Sequence, residues 1–153
     1  MPSEYLMYMA ILLVGTLAIG AISVTMIAIN GTMEDRAIET NLENISQNLA
    51  EIIHDLKSFC ENQIQEGATS FTHSVMLSLP DEVHEESYII EVSSDGINYY
   101  LDASLIENPD LSVSINLLIP EDSISISGSI ESSDPSPKIS YIFDGENSNI
   151  VLE

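Results

Sequence analysis

Residues 38–59 read IETNLENISQNLAEIIHDLKSF. Their apolar members are Ile38, Leu42, Ile45, Leu49, Ile52, Leu56 and Phe59, spaced alternately four and three apart. That is a heptad stripe, and Glu, Asn, Gln, Asp and Ser fill the positions between. Ile53 and Cys60 lie beside it and widen it, which suits packing on a sheet better than a narrow two-helix seam. Glu34 and Asp35 favour a helix start by their charge, and Gly67 is a stop signal. The pattern predicts an amphipathic helix over residues 31–67.

Upstream the composition changes. Tyr5 to Ile29 read YLMYMAILLVGTLAIGAISVTMIAI, without a charge. As a helix with about 1.5 Å rise per residue this stretch is roughly 37 Å long, enough for the ~30 Å hydrocarbon layer of a membrane. Residues 1–30 therefore read as an apolar transmembrane or assembly helix. It lacks the basic n-region of a secretory signal, and Asn30-Gly31 follows it where a small-residue cleavage site would stand, so it reads as retained. An N-terminus inside with the following chain outside is the economical orientation. Thr16 and Gly20 are four apart, a spacing of small residues that lets helices approach closely. Asn30-Gly31-Thr32 predicts a break between the two helical stretches.

Downstream the period falls from 3.5 to 2. Phe71 to Leu79, Leu111 to Ile119 and Ile124 to Ile130 alternate apolar with polar residues. Tyr88–Ser93 and Ile97–Asp102 flank Ser94-Asp95-Gly96, a hairpin signal. Lys138–Phe143 and Asn149–Leu152 complete seven candidate strands. Residues 68–153 are expected to form an antiparallel head, a sandwich or a curled sheet, with the heptad helix over one face. The fold class is α+β.

The 153-residue chain carries 3 basic and 25 acidic residues, a net charge of −22. All but Glu4 of the acids follow Gly31. This surface repels phosphate backbones and excludes nucleic-acid binding. It also repels anionic lipid headgroups, so the acidic part stands away from the membrane surface. The acidity fits either a salt-adapted chain or an exported surface protein that is merely acidic. With one cysteine, Cys60, no internal disulfide forms.

Chemistry-bearing motifs are sparse. There is no G-x-S-x-G, P-loop or G-x-G-x-x-G, and no cofactor motif or small-molecule substrate is evident. His54, Cys60 and His73 are a conceivable zinc set without ligand spacing, and Cys60 reads more simply as a packed thiol. Asp144-Gly145-Glu146-Asn147-Ser148 is oxygen-rich but lacks the 12-residue calcium-loop pattern, and reads as a turn. Two N-x-S/T sequons, at Asn30 and Asn44, are possible glycosylation sites.

The opening Ser3-Glu4-Tyr5-Leu6, leading into the apolar run, resembles the start of archaeal class III signal proteins, the archaellins and archaeal type IV pilins. Their long N-terminal helix and β-rich head also look like this chain. The segments Leu79-Pro80-Asp81-Glu82-Val83, Tyr88-Ile89-Ile90-Glu91-Val92 and Tyr99-Tyr100-Leu101 are similar to small pilin-like proteins of halophilic and methanogenic archaea. This chain departs from the pattern in having Ser-Glu for Ser-x-Glu and no Lys/Arg-Gly before Ser3. The resemblance implies a structural, non-catalytic filament subunit at the cell surface whose partners are copies of itself or related pilin-like subunits. Glu4, Tyr5 and Leu6, with Thr16 and Gly20, would be assembly residues, and Glu4 would pair with a neighbour's N-terminal amine. The alternative is a single-pass anchored envelope or motor accessory module, its heptad stripe a dimer stalk and its β domain a binding head.

Overall fold

One helix, α1 (Pro2–Gln65), contains both the apolar run and the heptad stripe. The computed structural model describes the backbone of residues 2–153 and the side chains of Val14 and of residues 16–153. The chain forms two units, Met1–Ala37 and Ile38–Glu153.

The break expected at Asn30-Gly31-Thr32 does not occur. A glycine inside a helix costs only about 1 kcal/mol. The Thr32 hydroxyl bonds back to the carbonyls of Ala28 (2.9 Å) and Ile29 (3.0 Å), so it does not divert the backbone. The units part inside the helix instead, where Ile38 becomes the first residue buried in the head core. Residues 38–65 thus belong to the head. The helix stops at Gly67 in a Schellman motif. Gly67, at φ 98°, donates its N–H to Ile64 O, and the next N–H, of Ala68, reaches Gln63 O.

Seven strands follow: β1 (Phe71–Met76), β2 (Tyr88–Ser94), β3 (Asn98–Leu105), β4 (Ser112–Pro120), β5 (Ser125–Glu131), β6 (Lys138–Phe143) and β7 (Ser148–Leu152). They form one sheet in the order β1-β6-β7-β5-β2-β3-β4. Five of the six pairings are antiparallel, as expected; β5 and β7 run parallel, so the sheet is mixed. Strand β5 changes partners along its length. Ser125–Gly128 pair with β7 and Ser129–Glu131 with β2. Gly128 sits at that junction with φ 108°, and a Cβ there would collide with the carbonyl of Leu152.

Strand alternation sends Ile90, Leu101, Ile130, Ile139 and Ile150 to one face, all fully buried. The helix covers that face with Leu42, Leu49, Ile53, Leu56 and Cys60 in a single core cluster. The heptad is used unevenly. Ile38, Leu42, Leu49 and Leu56 are buried, Ile45 and Ile52 are half-buried, and Phe59 is 47% exposed. The buried stripe turns instead through Ser46, Ala50, Ile53 and Cys60, because a straight helix drifts off a strict heptad line. Ser46 is fully buried and its Oγ has no hydrogen-bond partner.

Two side chains fasten loops to this core. The buried Tyr88 donates its hydroxyl to Pro80 O (2.8 Å), and Tyr141 bonds Ser148 Oγ (2.8 Å) while stacking on Phe71. Burial, with the Asp81 carboxylate adding to it, pushes the Tyr88 phenol up to about 12. Between β1 and β2 a two-residue turn puts His84 at φ 52° and Glu85 at φ 67°, joined by Val83–Glu86 hydrogen bonds. No glycine relieves this turn.

Four stability changes are expected in residues 38–153, measured by urea denaturation. Ile53→Ala should cost about 2–5 kcal/mol and Ile52→Ala clearly less. Ser46→Ala should be neutral or stabilising by about 1 kcal/mol, since it removes an unpaired buried hydroxyl. Glu85→Gly should stabilise by about 0.5–1 kcal/mol by relieving the left-handed backbone. Equal losses at Ile52 and Ile53 would contradict the rotated stripe.

Candidate functional site

The functional candidates fall in two places, one in each unit. In the first unit, Val14, Leu17, Ile22, Ile27, Ile29 and Met33 are between 52 and 72% exposed, and they point to every side of the helix. A helix that is apolar all round needs an apolar surrounding. Three of its described hydroxyls bond back to the helix: Ser23 to Ile19 O (2.9 Å), Thr25 to Ala21 O (2.5 Å) and Thr32 to Ala28 O. Those bonds remove the main cost of placing Ser and Thr in hydrocarbon. The helix is long and apolar enough to span a membrane, near the N-terminus, with none of its apolar window buried.

The residues expected to serve assembly divide accordingly. Thr16 is exposed, and a Cβ placed on Gly20 would meet nothing within 4 Å. The pair is available for contact with another helix. The side chains of Glu4, Tyr5 and Leu6 lie outside the described residues.

Both sequons are helical. Asn30 and Asn44 are exposed, but the Thr32 hydroxyl is bonded to backbone and Ser46 is inaccessible. A glycan at Asn44 would have to be attached before the head folds.

In the second unit, the conceivable zinc set is not assembled. Cys60 points into the core, where burial raises its thiol pKa. His54 is exposed, and His73 packs on Phe59 with ring centres 5.1 Å apart. Among the described residues no group of three or more His, Cys, Asp or Glu is placed to hold a metal.

The acidic turns hold themselves together. Asp95 accepts hydrogen bonds from the N–H groups of Ile97 (2.9 Å) and Asn98 (2.8 Å) and from the Tyr100 hydroxyl (2.9 Å). The Asn98 N–H, then that of Ile97, then the phenol hold its carboxyl below the usual range. Asp144 accepts from Asn147 N (2.7 Å) and Glu146 N (2.9 Å) and is lowered by them in that order. The Asp144–Ser148 segment is thus a turn closed by its own carboxylate. It shares an open groove of about 550 Å³ with Glu121 and Asp122.

The sequence pattern missed a surface at the edge of β1. An open apolar groove of about 320 Å³ lies there, lined by Ile52, Asp55, Leu56, Phe59, His73 and Val75. The signal was in the heptad itself, whose Ile45, Ile52 and Phe59 column recurs every seventh residue on the flank of the helix.

No protein-family model, curated protein or solved structure matches this chain.

Asp95 gives a pH test. Its depressed pKa means its stabilisation is fully present above the unfolded carboxylate pKa of about 4 and fades as pH falls through the folded value. Asp95→Ala should lower the melting temperature of residues 38–153 at pH 7, and the gap to the parent should shrink as pH drops below about 4. A gap that is constant with pH would show that the charge is idle.

Proposed function

We propose that the chain is a pilin-like structural subunit of an archaeal cell-surface filament. The apolar part of α1 holds it in the membrane before assembly and packs among other apolar helices in the filament afterwards. The acidic head faces outward, on the far side of the membrane from the N-terminus. The role is mechanical rather than catalytic.

One observation carries this reading: a single helix is uncharged and exposed through Thr16–Met33, yet becomes amphipathic and core-buried from Ile38. A membrane tether needs only the first half. A filament subunit uses both, the first half to assemble and the second to complete the head. Resemblance at Ser3-Glu4-Tyr5-Leu6 adds to this. Burial of Leu42, Leu49 and Leu56 in the head also speaks against the anchored-accessory alternative in its dimer-stalk form, which needs those residues at a seam.

The full-length chain should fractionate with membranes or detergent, and residues 38–153 should be soluble. Wild type should give filaments by negative-stain microscopy. Glu4→Ala should keep membrane insertion while filament yield falls, since an unpaired carboxylate among apolar helices is costly and its pairing rewards correct docking. Wild type that inserts but never forms filaments would move the reading to the anchored accessory module.

The head should also respond to salt. With a net charge of −22 on the chain, its melting temperature should rise from low to molar NaCl as repulsion among the acids is screened. A flat or falling trend would reject salt adaptation.

A further inference from the structure

Two departures from local rules meet at one groove of the head. The first is on α1. Three of the eight residues from Asn41 to Asn48 are asparagine, a poor helix former whose amide competes with the backbone. The other five have evident structural work. Leu42 and Ser46 are buried, Ile45 is half-buried, and Gln47 donates a hydrogen bond to Glu43 (3.1 Å). Asn41, Asn44 and Asn48 are exposed and share one helix face, three and four residues apart. Their carboxamides make no hydrogen bond among the described residues.

The second departure is the His84-Glu85 turn. Both residues hold left-handed backbone without glycine, at φ 52° and 67°. Strain of this kind persists where the surroundings enforce it, and it gathers at ligand sites. Here both flanks are held. Val83 is buried and exchanges hydrogen bonds of 2.9 and 3.1 Å with Glu86, and the fully buried Tyr88 bonds Pro80 O (2.8 Å). Between this loop and the helix face lies an open groove of about 320 Å³. The three asparagines and Ile45 line it from the helix, and Pro80, Glu82, Val83 and His84 line it from the loop.

We propose that this groove binds a neutral sugar of one or two rings. A carboxamide both donates and accepts, as a sugar hydroxyl does, and three of them here are free to do so. Ile45, Pro80 and Val83 add apolar contact for the C–H face of a ring. The volume is at the small end for a ligand pocket, which runs from about 300 Å³. Other classes fit worse. A chain of net charge −22 repels an anion, and Glu82 lines the groove itself. A divalent cation calls for several carboxylates, and among the described residues no three His, Cys, Asp or Glu are placed to hold one. From Asn41 to Asn48 is about 10 Å along the helix, the span of only about three residues of an extended peptide. The groove lies wholly within residues 38–153, so the proposal does not rest on the filament reading. A glycan on Asn44 would occupy the same groove, so the two uses of that residue exclude each other.

The test uses the full-length chain, made in a host that adds no N-glycan and held in a zwitterionic detergent without a sugar headgroup. Glucose, galactose, mannose and N-acetylglucosamine are titrated in turn, each free and as its methyl glycoside, with saturation-transfer NMR as the readout. The two forms separate a free sugar from the end of a glycan. At least one sugar should show saturable transfer. Asn41→Ala and Asn48→Ala, both at exposed positions, should each weaken it about tenfold. Glu85→Gly, which relieves the turn and should stabilise the head, should still weaken binding about threefold by freeing the wall of the groove. That variant decides the matter if an alanine variant fails to fold by near-UV circular dichroism. No saturable transfer from any sugar overturns the proposal. So does binding that Asn41→Ala, Asn48→Ala and Glu85→Gly all leave unchanged, since the sugar then sits elsewhere.

Discussion

The head depends on one contact, that of the helical stripe Leu42, Leu49, Ile53, Leu56 and Cys60 with the inner face of the sheet. A single sheet with an apolar face has nothing of its own to cover it. Each fully buried Leu or Ile contributes about 1.5–3 kcal/mol, so withdrawing the helix would expose far more than a small domain's net stability. This fixes what the rest of α1 can be. Beyond Ile38 the helix is committed to the sheet, and before it the helix is free to suit another solvent. Two kinds of surface are written into one continuous helix.

Much of this was legible. The change of period from 3.5 to 2 marked helix and sheet, Gly67 marked the stop, and Asp95-Gly96 marked the β2–β3 hairpin. All are local signals, carried by neighbours in the chain. What was not legible was set by distant partners. Asn30-Gly31-Thr32 looks like a break because its turn propensity is visible and the helical hydrogen bonds of Thr32 are not. The parallel β5–β7 pair follows from where Leu152 meets Gly128, a contact between residues far apart in sequence. Ile52 and Ile53 differ in burial by one step of helical rotation, which a stripe on paper does not resolve. The His84-Glu85 turn escaped notice because it uses left-handed backbone without the glycine that normally signals it. For the site, the apolar run was plain, whereas the groove beside β1 needed the helix to be placed across the strands first.

The acids are arranged more than their number suggests. Asp95 and Asp144 cap turns, accepting backbone N–H groups that no strand could satisfy. Lys57 pairs with Glu61 at 2.5 Å and Lys138 with Glu153 at 3.2 Å, so both lysines of the head are engaged locally. Ser93 likewise bonds Asp102 across β2 and β3. Charge therefore gathers on the turns and on the exposed side of α1, where Glu39, Glu43, Glu51 and Asp55 lie, and only Glu91, Asp102 and Glu131 among the acids lie on strands.

The position of β7 bears on how the molecule is made. It is the last strand in chain order, yet it lies between β6 and β5 near the middle of the sheet. Until Ser148–Leu152 has emerged, β1 with β6 and β5 with β2, β3 and β4 are two fragments lacking the strand that joins them. During synthesis the apolar stretch of α1 is therefore complete well before the head can close. The order of the chain thus leaves the hydroxyl of Ser46 accessible until the last strand joins the sheet.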